Sequence, residues 1–218
     1  MTQREIHSVI RILRREVPKW ETPIVTLMAE TYKSPFRVLI SCILSLRTQD
    51  STTAKASHRL FAVADSPRAM LKLTPKQIER LIYPVGFYRT KAKNILAICR
   101  RLVDEHQGAV PDDIDELLKL PGVGRKTANL VVTLGYDKPG ICVDTHVHRI
   151  SNRWGYVQTK TPEKTEFALR EKLPRRYWIE YNDLLVSFGQ HLCRPISPLC
   201  SRCPVMKYCA QIDVKARR

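Results

Sequence analysis

No run of about 18 consecutive apolar residues occurs in these 218 residues, so nothing in the sequence is built to span a bilayer as a helix. Acidic side chains are also in short supply. Against 37 Lys and Arg there are 21 Asp and Glu, which leaves a formal charge of +16 and a pI near 9.8. That balance says nothing about fold, but it favours a polyanionic partner, because phosphates neutralised by Lys and Arg release condensed counterions. The opening "MTQREIHSVIRILRREVPKW" lacks the uncharged apolar core of a secretory signal, since charges run through its apolar positions. Strand-like alternation is scarce, and there is no low-complexity tract or solenoid repeat. These absences lead to a soluble, intracellular, helical protein, with nucleic acid preferred over a membrane as its partner.

What is present is helical periodicity. Ile6, Val9, Ile10 and Leu13 recur at steps of three and four through residues 2–16, and Ala92, Ile95, Leu96, Cys99, Leu102 and Val103 do so between Arg89 and His106. Further helices are predicted at 36–46, 50–64, 75–82, 113–119, 124–134, 145–153, 162–173 and 177–192. Thr74-Pro75 and Thr161-Pro162 have the order of an N-cap and a first helical residue. "SPF", "DSPRA", "LTPKQ", "GAVPDD" and "DKPGI" read as loops. The expectation is an all-α protein of about ten helices.

Seven cysteines, an odd number, do not make the disulfide framework of a small secreted domain. Cys42, Cys99 and Cys142 stand among apolar neighbours and read as core thiols. The other four, Cys193, Cys200, Cys203 and Cys209, lie within "CRPISPLCSRCPVMKYC", interrupted by Pro195, Pro198 and Pro204. Such crowding suggests a metal site, and on spacing alone a zinc knot and an iron–sulfur cluster compete. Arg194, Arg202 and Lys207 lie between or beside these ligands, either placed for phosphates or forming a solvated face.

"LPGVGRKTANLVV" (120–132) reads as a helix ending near Lys119, a stop at Pro121, a turn through Gly122 and Gly124, and a new helix from about Arg125. Both glycines are expected to adopt backbone conformations closed to other residues. Main-chain N–H groups at such a hairpin can hold a DNA phosphate without reading sequence; an ordinary helix-turn-helix connection has the same pattern. Twenty residues on, "VDTHVHRISNRWG" starts a helix at Asp144 and Thr145, where an acid commonly serves as a cap. Lys126, similarly, is compatible with a plain solvated charge.

These three motifs in this order, from about Ser34 to Cys209, resemble the endonuclease III family of DNA glycosylases within the helix-hairpin-helix superfamily. The resemblance implies a two-domain fold: a six-helix barrel over 28–138 that ends in the hairpin, and a [4Fe-4S] cluster domain made of 1–27 and 139–218, flanking a groove with Lys126 on one wall and Asp144 on the other. It makes Lys126 the amine nucleophile, Asp144 the essential carboxylate, and Cys193, Cys200, Cys203 and Cys209 the ligands of a structural cluster. Gly122, Val123, Gly124, Arg125 and Thr127 of the hairpin would contact DNA. In "CILSLRTQDSTTAKA" and "VGFYRTKAKNI", Arg47 would fill the gap left by a flipped base and Phe87 would wedge the opposite strand, with Gln49 also on the DNA side. Here the chain departs from better-known bacterial members, in which these residues are glutamine and leucine. Phe87 as a loop anchor and Asp50 as a helix cap are the plainer readings of those loops. His146, His148 and Tyr88 are candidates for the lesion pocket.

The activity so implied is that of a monomeric, bifunctional base excision repair enzyme, cytoplasmic and nucleoid-associated in a prokaryote. It would remove oxidised pyrimidines from duplex DNA, act at abasic sites and nick by β-elimination. The alternatives are a monofunctional adenine or thymine mismatch glycosylase, whose members lack the hairpin lysine, and a non-enzymatic iron–sulfur DNA-binding protein, which would need neither Lys126 nor Asp144.

Overall fold

A computed structural model describes residues 1–20 and 34–218. Among the described residues there are eleven α-helices and no strand, as expected for an all-α chain, and no helix is long and apolar enough to cross a membrane. In chain order they are α1 (Gln3–Glu16), α2 (Pro35–Ser45), α3 (Asp50–Val63), α4 (Pro67–Met70), α5 (Pro75–Ile82), α6 (Tyr88–His106), α7 (Ile114–Leu118), α8 (Arg125–Leu130), α9 (Thr145–Arg153), α10 (Pro162–Lys172) and α11 (Trp178–His191).

Local chemistry sets many of these ends. Thr2 and Thr74 each form a reciprocal capping box, with Glu5 and Gln77 respectively. Thr161 accepts from the N–H of Lys164, and Pro75 and Pro162 sit at the first helical turn as their order in the sequence predicts. Four expectations are corrected. "DSPRA" is not wholly loop, because Ser66 accepts from the N–H of Ala69 and caps the single turn Pro67–Met70. The helix predicted over 124–134 is α-helical only to Leu130, and Val131–Gly135 continues as a π-helical turn. There the Thr133 hydroxyl donates to the Asn129 and Leu130 carbonyls, which competes with the regular ladder. In α6 the fully buried stripe is Ala92, Ile95, Ile98, Cys99 and Leu102, with Lys91 on the same face, whereas Leu96 and Val103 are only half-buried. Asp50 is the first residue of α3 and not its cap; Gln49 holds that position, without a capping hydrogen bond from its side chain.

The chain divides into two compact units, Met1–Pro23 with Ile141–Arg218, and Ile24–Gly140. The first join, like the boundary expected between 27 and 28, lies outside the described residues. In the first unit α1 buries Ile6, Val9, Ile10 and Leu13 completely, in one cluster with Val147, Ile150, Trp154, Leu185, Phe188 and Val205. Burying four such side chains contributes about 1.5–3 kcal/mol each before chain entropy is charged. The second unit packs α2 against α3, α6 and α8, and α6 against α5, around Leu39, Ile43, Leu60, Ile78, Ile95, Leu102 and Val131. Burial pushes the Cys42 and Cys99 thiols up to about 12, and Cys142 is equally hidden, so these three are inert core thiols.

Candidate functional site

Within the second unit, α7 ends at Leu118 with Lys119 as its C-cap, and Leu120 and Val123 turn inward as the anchors of a tight connection. The Val123 N–H donates to the Leu120 carbonyl at 3.1 Å. Gly122 has φ 77°, a left-handed backbone that favours glycine, and a Cβ there would lie 2.7 Å from the end of the Asn94 side chain. Gly124 corrects the expectation. Its φ of −102° and ψ of 176° are open to any residue, and a Cβ would meet nothing within 4 Å. No internal contact explains why this position lacks a side chain. Gly124 caps α8 without a side-chain hydrogen bond, Lys126 is exposed in the first turn, and Thr127 is buried beneath it.

The same unit joins the two loops carrying Arg47 and Phe87. Both residues have left-handed backbones, φ 52° and 57°, and both are exposed. The Arg47 guanidinium lies over the Phe87 ring, 5.6 Å from its centroid. Gly86 approaches so closely that a Cβ would stand 2.5 Å from the Arg47 carbonyl oxygen, and its N–H donates to the Thr48 hydroxyl at 3.1 Å. Gln49 is exposed beside them, and Tyr88 stacks edge-on against Tyr83. One member of this group was not anticipated. Lys91 is 6% exposed, and its ammonium donates to the carbonyls of Leu44 (2.9 Å) and Leu46 (2.5 Å) and to the Thr48 hydroxyl (3.2 Å). Burial draws its pKa down to about 8. Its place four residues before Ile95, on the buried stripe of α6, is the signal that could have found it.

In the first unit Asp144 caps α9, its Oδ1 accepting from the N–H groups of His146 (2.8 Å) and Val147 (2.9 Å). The carboxylate is half-buried and held at the positive end of that helix. His148 Nδ1 meets the Thr165 hydroxyl at 2.6 Å, and burial lowers its pKa. His146 Nδ1 lies 3.1 Å from Arg149, which also donates to the Cys193 carbonyl at 2.8 Å. His146 and His148 are thus both engaged by neighbours in their own unit.

Cys193, Cys200, Cys203 and Cys209 together line one pocket, with Trp154, Phe188, Leu192 and Met206 among its other walls. Burial raises the thiols of Cys193 and Cys209 and pushes that of Cys203 up to about 12, and their mutual repulsion adds to it. A cationic group among them would favour their ionised form. Among the described residues no three His, Cys, Asp or Glu are gathered so as to hold a single metal ion. Arg153, 7% exposed, ties the loop to α9: it donates to the carbonyls of Arg194 and Pro195, both at 2.6 Å, and approaches Cys193 Sγ at 3.6 Å. Arg194, Arg202 and Lys207 are exposed on the loop.

An all-helical fold with a glycine hairpin ahead of an exposed lysine defines a recognised class. Residues 40–175 match the HhH-GPD superfamily of base excision DNA repair proteins. The chain is 52% identical over 175 residues to Endonuclease III of Thermotoga maritima, covering 80% of this chain and 82% of that one. To Endonuclease III homolog 1, chloroplastic, of Arabidopsis thaliana it is 44% identical over 80% of its length, spanning about half (48%) of that longer protein. A solved structure of a trapped covalent intermediate between Endonuclease III and DNA superposes with a TM-score of 0.86 at 34% identity, covering 97% of both chains. The chain belongs to the endonuclease III family.

Proposed function

We propose that this base excision repair glycosylase and AP lyase removes oxidised pyrimidines from duplex DNA and nicks the strand by β-elimination, with Lys126 as nucleophile and Asp144 as the carboxylate that assists base loss. The observation that carries the assignment is the exposed Lys126 at the start of α8, directly after a glycine turn whose Gly124 has open space where a side chain would be. A phosphate can approach main chain closely there, with Gly122, Val123, Gly124, Arg125 and Thr127 forming the cradle.

The chemistry follows from charge. As the bond from C1′ to the base breaks, its electron pair leaves on the base and positive charge builds on the sugar, which a nearby carboxylate stabilises. The neutral Lys126 amine donates its lone pair to C1′ and the ring oxygen departs as a hydroxyl, leaving an iminium. The iminium acidifies the C2′ proton; its loss expels the 3′ phosphate and breaks the strand. Arg47 filling the vacated stack and Phe87 wedging the opposite strand offset the unstacking of the flipped nucleotide. Their ring-to-guanidinium contact and shared loop architecture support assigning them jointly.

The cysteine cavity fits a [4Fe-4S] cluster: four thiols surround an apolar-walled space, and buried Arg153 supplies positive charge at its edge. Bound there, the cluster supplies a covalent staple for a proline-rich loop that is too short to fold alone. Ile24–Gly140 would correspond to the helical barrel and the other unit to the cluster domain. A duplex DNA substrate would place the protein in the cytoplasm, on the nucleoid in a prokaryotic host.

Borohydride reduction tests the assignment. With duplexes carrying an oxidised pyrimidine, an A·G mismatch or a T·G mismatch, only the first is expected to leave protein covalently attached. Lys126→Ala should abolish the adduct while duplex binding persists. An adduct of undiminished yield in that variant would remove Lys126 from the reaction.

A further inference from the structure

Left-handed backbone at a bulky residue costs about 1–2 kcal/mol and persists only where surroundings impose it. Arg47 and Phe87 both have it, in loops joined by Lys91, Thr48 and Gly86. The side-chain donors of Lys91 and Thr48 are all used. The three ammonium hydrogens of Lys91 go to the Leu44 and Leu46 carbonyls and the Thr48 oxygen. The Thr48 hydroxyl donates to the Leu46 carbonyl at 3.2 Å while accepting from Lys91 and from the Gly86 N–H. The absence of a Cβ at Gly86 lets the second loop close onto the Arg47 carbonyl.

We propose that Lys91 is a positioning residue: through Thr48 it clamps the Arg47 loop to the Phe87 turn, so that the two side chains meet the duplex as one preformed unit. The inference rests on the reading of Arg47 and Phe87 as plug and wedge. Its energetic argument is that a buried ammonium is expensive and methionine would fill the same space without that burden. The lysine is therefore accounted for by what it holds. It also sets its charge against the carbonyl end of α2, where a cation is favoured. A loop displacement of about 1 Å can slow a positioned reaction on the order of a hundredfold, so the joint controls how well the nucleotide is held out of the stack.

Lys91→Met keeps the aliphatic fill and removes the donors. Two reactions separate positioning from mere stability: single-turnover excision of an oxidised pyrimidine from duplex DNA, and strand scission at an abasic site in single-stranded DNA, which has no stack to open. The expected result is a loss of at least about tenfold on the duplex, with the single-strand rate within about twofold of the parent. The fluorescence rise of a 2-aminopurine placed beside the lesion, which reports unstacking, should fall with it. Arg47→Ala and Phe87→Ala should also lower duplex excision. Equal rates for Lys91→Met and the parent, or a parallel fall on both substrates, would overturn the clamp while leaving plug and wedge standing. Parent-like duplex excision by both Arg47→Ala and Phe87→Ala would instead overturn the plug-and-wedge reading, and the clamp with it. Should Lys91→Met fail to fold, Thr48→Val, which keeps the shape and removes the shared hydroxyl, decides by the same comparison.

Discussion

From the last turn of α9, Arg153 points its Nη1 at Cys193 Sγ, 3.6 Å away, while the same guanidinium holds the next two carbonyls of the loop. The two carbonyl bonds are charge-assisted and buried, the circumstance in which a hydrogen bond contributes most. Arg153→Met should cost about 2 kcal/mol, or roughly 4–8 °C in Tm for a chain of this size. If the proposed cluster is bound, the substitution should also speed iron loss to a chelator, followed by bleaching of visible absorbance. An unchanged Tm and bleaching rate would mean that Arg153 does not hold the loop.

Substitution can separate the capping role of Asp144 from the catalytic role proposed for it. Asparagine is as good an N-cap as aspartate, so Asp144→Asn should leave stability within a few tenths of a kcal/mol, whereas Asp144→Ala loses about 1 kcal/mol. Base release should fall on the order of a hundredfold or more in both, because neither carries the charge. Urea denaturation read beside single-turnover excision checks this; excision tracking stability across the pair would make Asp144 only a cap.

The two hairpin glycines should behave oppositely. Gly122→Ala places a Cβ against Asn94 in a left-handed backbone and should destabilise by more than about 1 kcal/mol. Gly124→Val meets nothing inside the protein and should change stability by about 0.5 kcal/mol or less. It should nevertheless weaken duplex binding, because a branched side chain then stands where the proposed phosphate contact lies. Fluorescence anisotropy with a labelled duplex, at fixed salt, measures the difference.

Lys91 should leave a signature in stability against pH. Folded, it releases its proton near pH 8 because burial penalises the ammonium; unfolded, it keeps it to about its ordinary 10.5. Between those values the unfolded chain binds more protons, so this group makes stability rise with pH, and below about 8 its penalty is fully present. The parent should therefore gain stability relative to Lys91→Met between pH 7.5 and 9.5 in urea titrations. A relative loss over that interval would contradict the buried ammonium.

Much of the architecture was legible from spacing. A period of 3.6 located α1 through Ile6, Val9, Ile10 and Leu13, all of them fully buried, and the Thr-Pro pairs marked two helix starts to the residue. The cysteine spacing likewise announced a shared site, and one cavity gathers all four. Lys91 was hidden because a lysine on a helix is usually solvated, and its partners are 43 to 47 residues away in sequence. Gly124 misled for a related reason: a glycine suggests unusual backbone, yet its conformation is ordinary and the missing side chain faces empty space. Local pattern carries helices and caps; it is silent on contacts that exist only after the loops have closed.

Because α1 shares its core with Val147, Ile150, Leu185 and Phe188, its apolar face has no folding partner while the ribosome is still making the middle of the chain. The intervening segment, contiguous in sequence, can complete its own core first. The opening helix waits with its greasy stripe uncovered until the last third emerges, so chaperone occupancy on nascent chains should concentrate there and vanish late in synthesis.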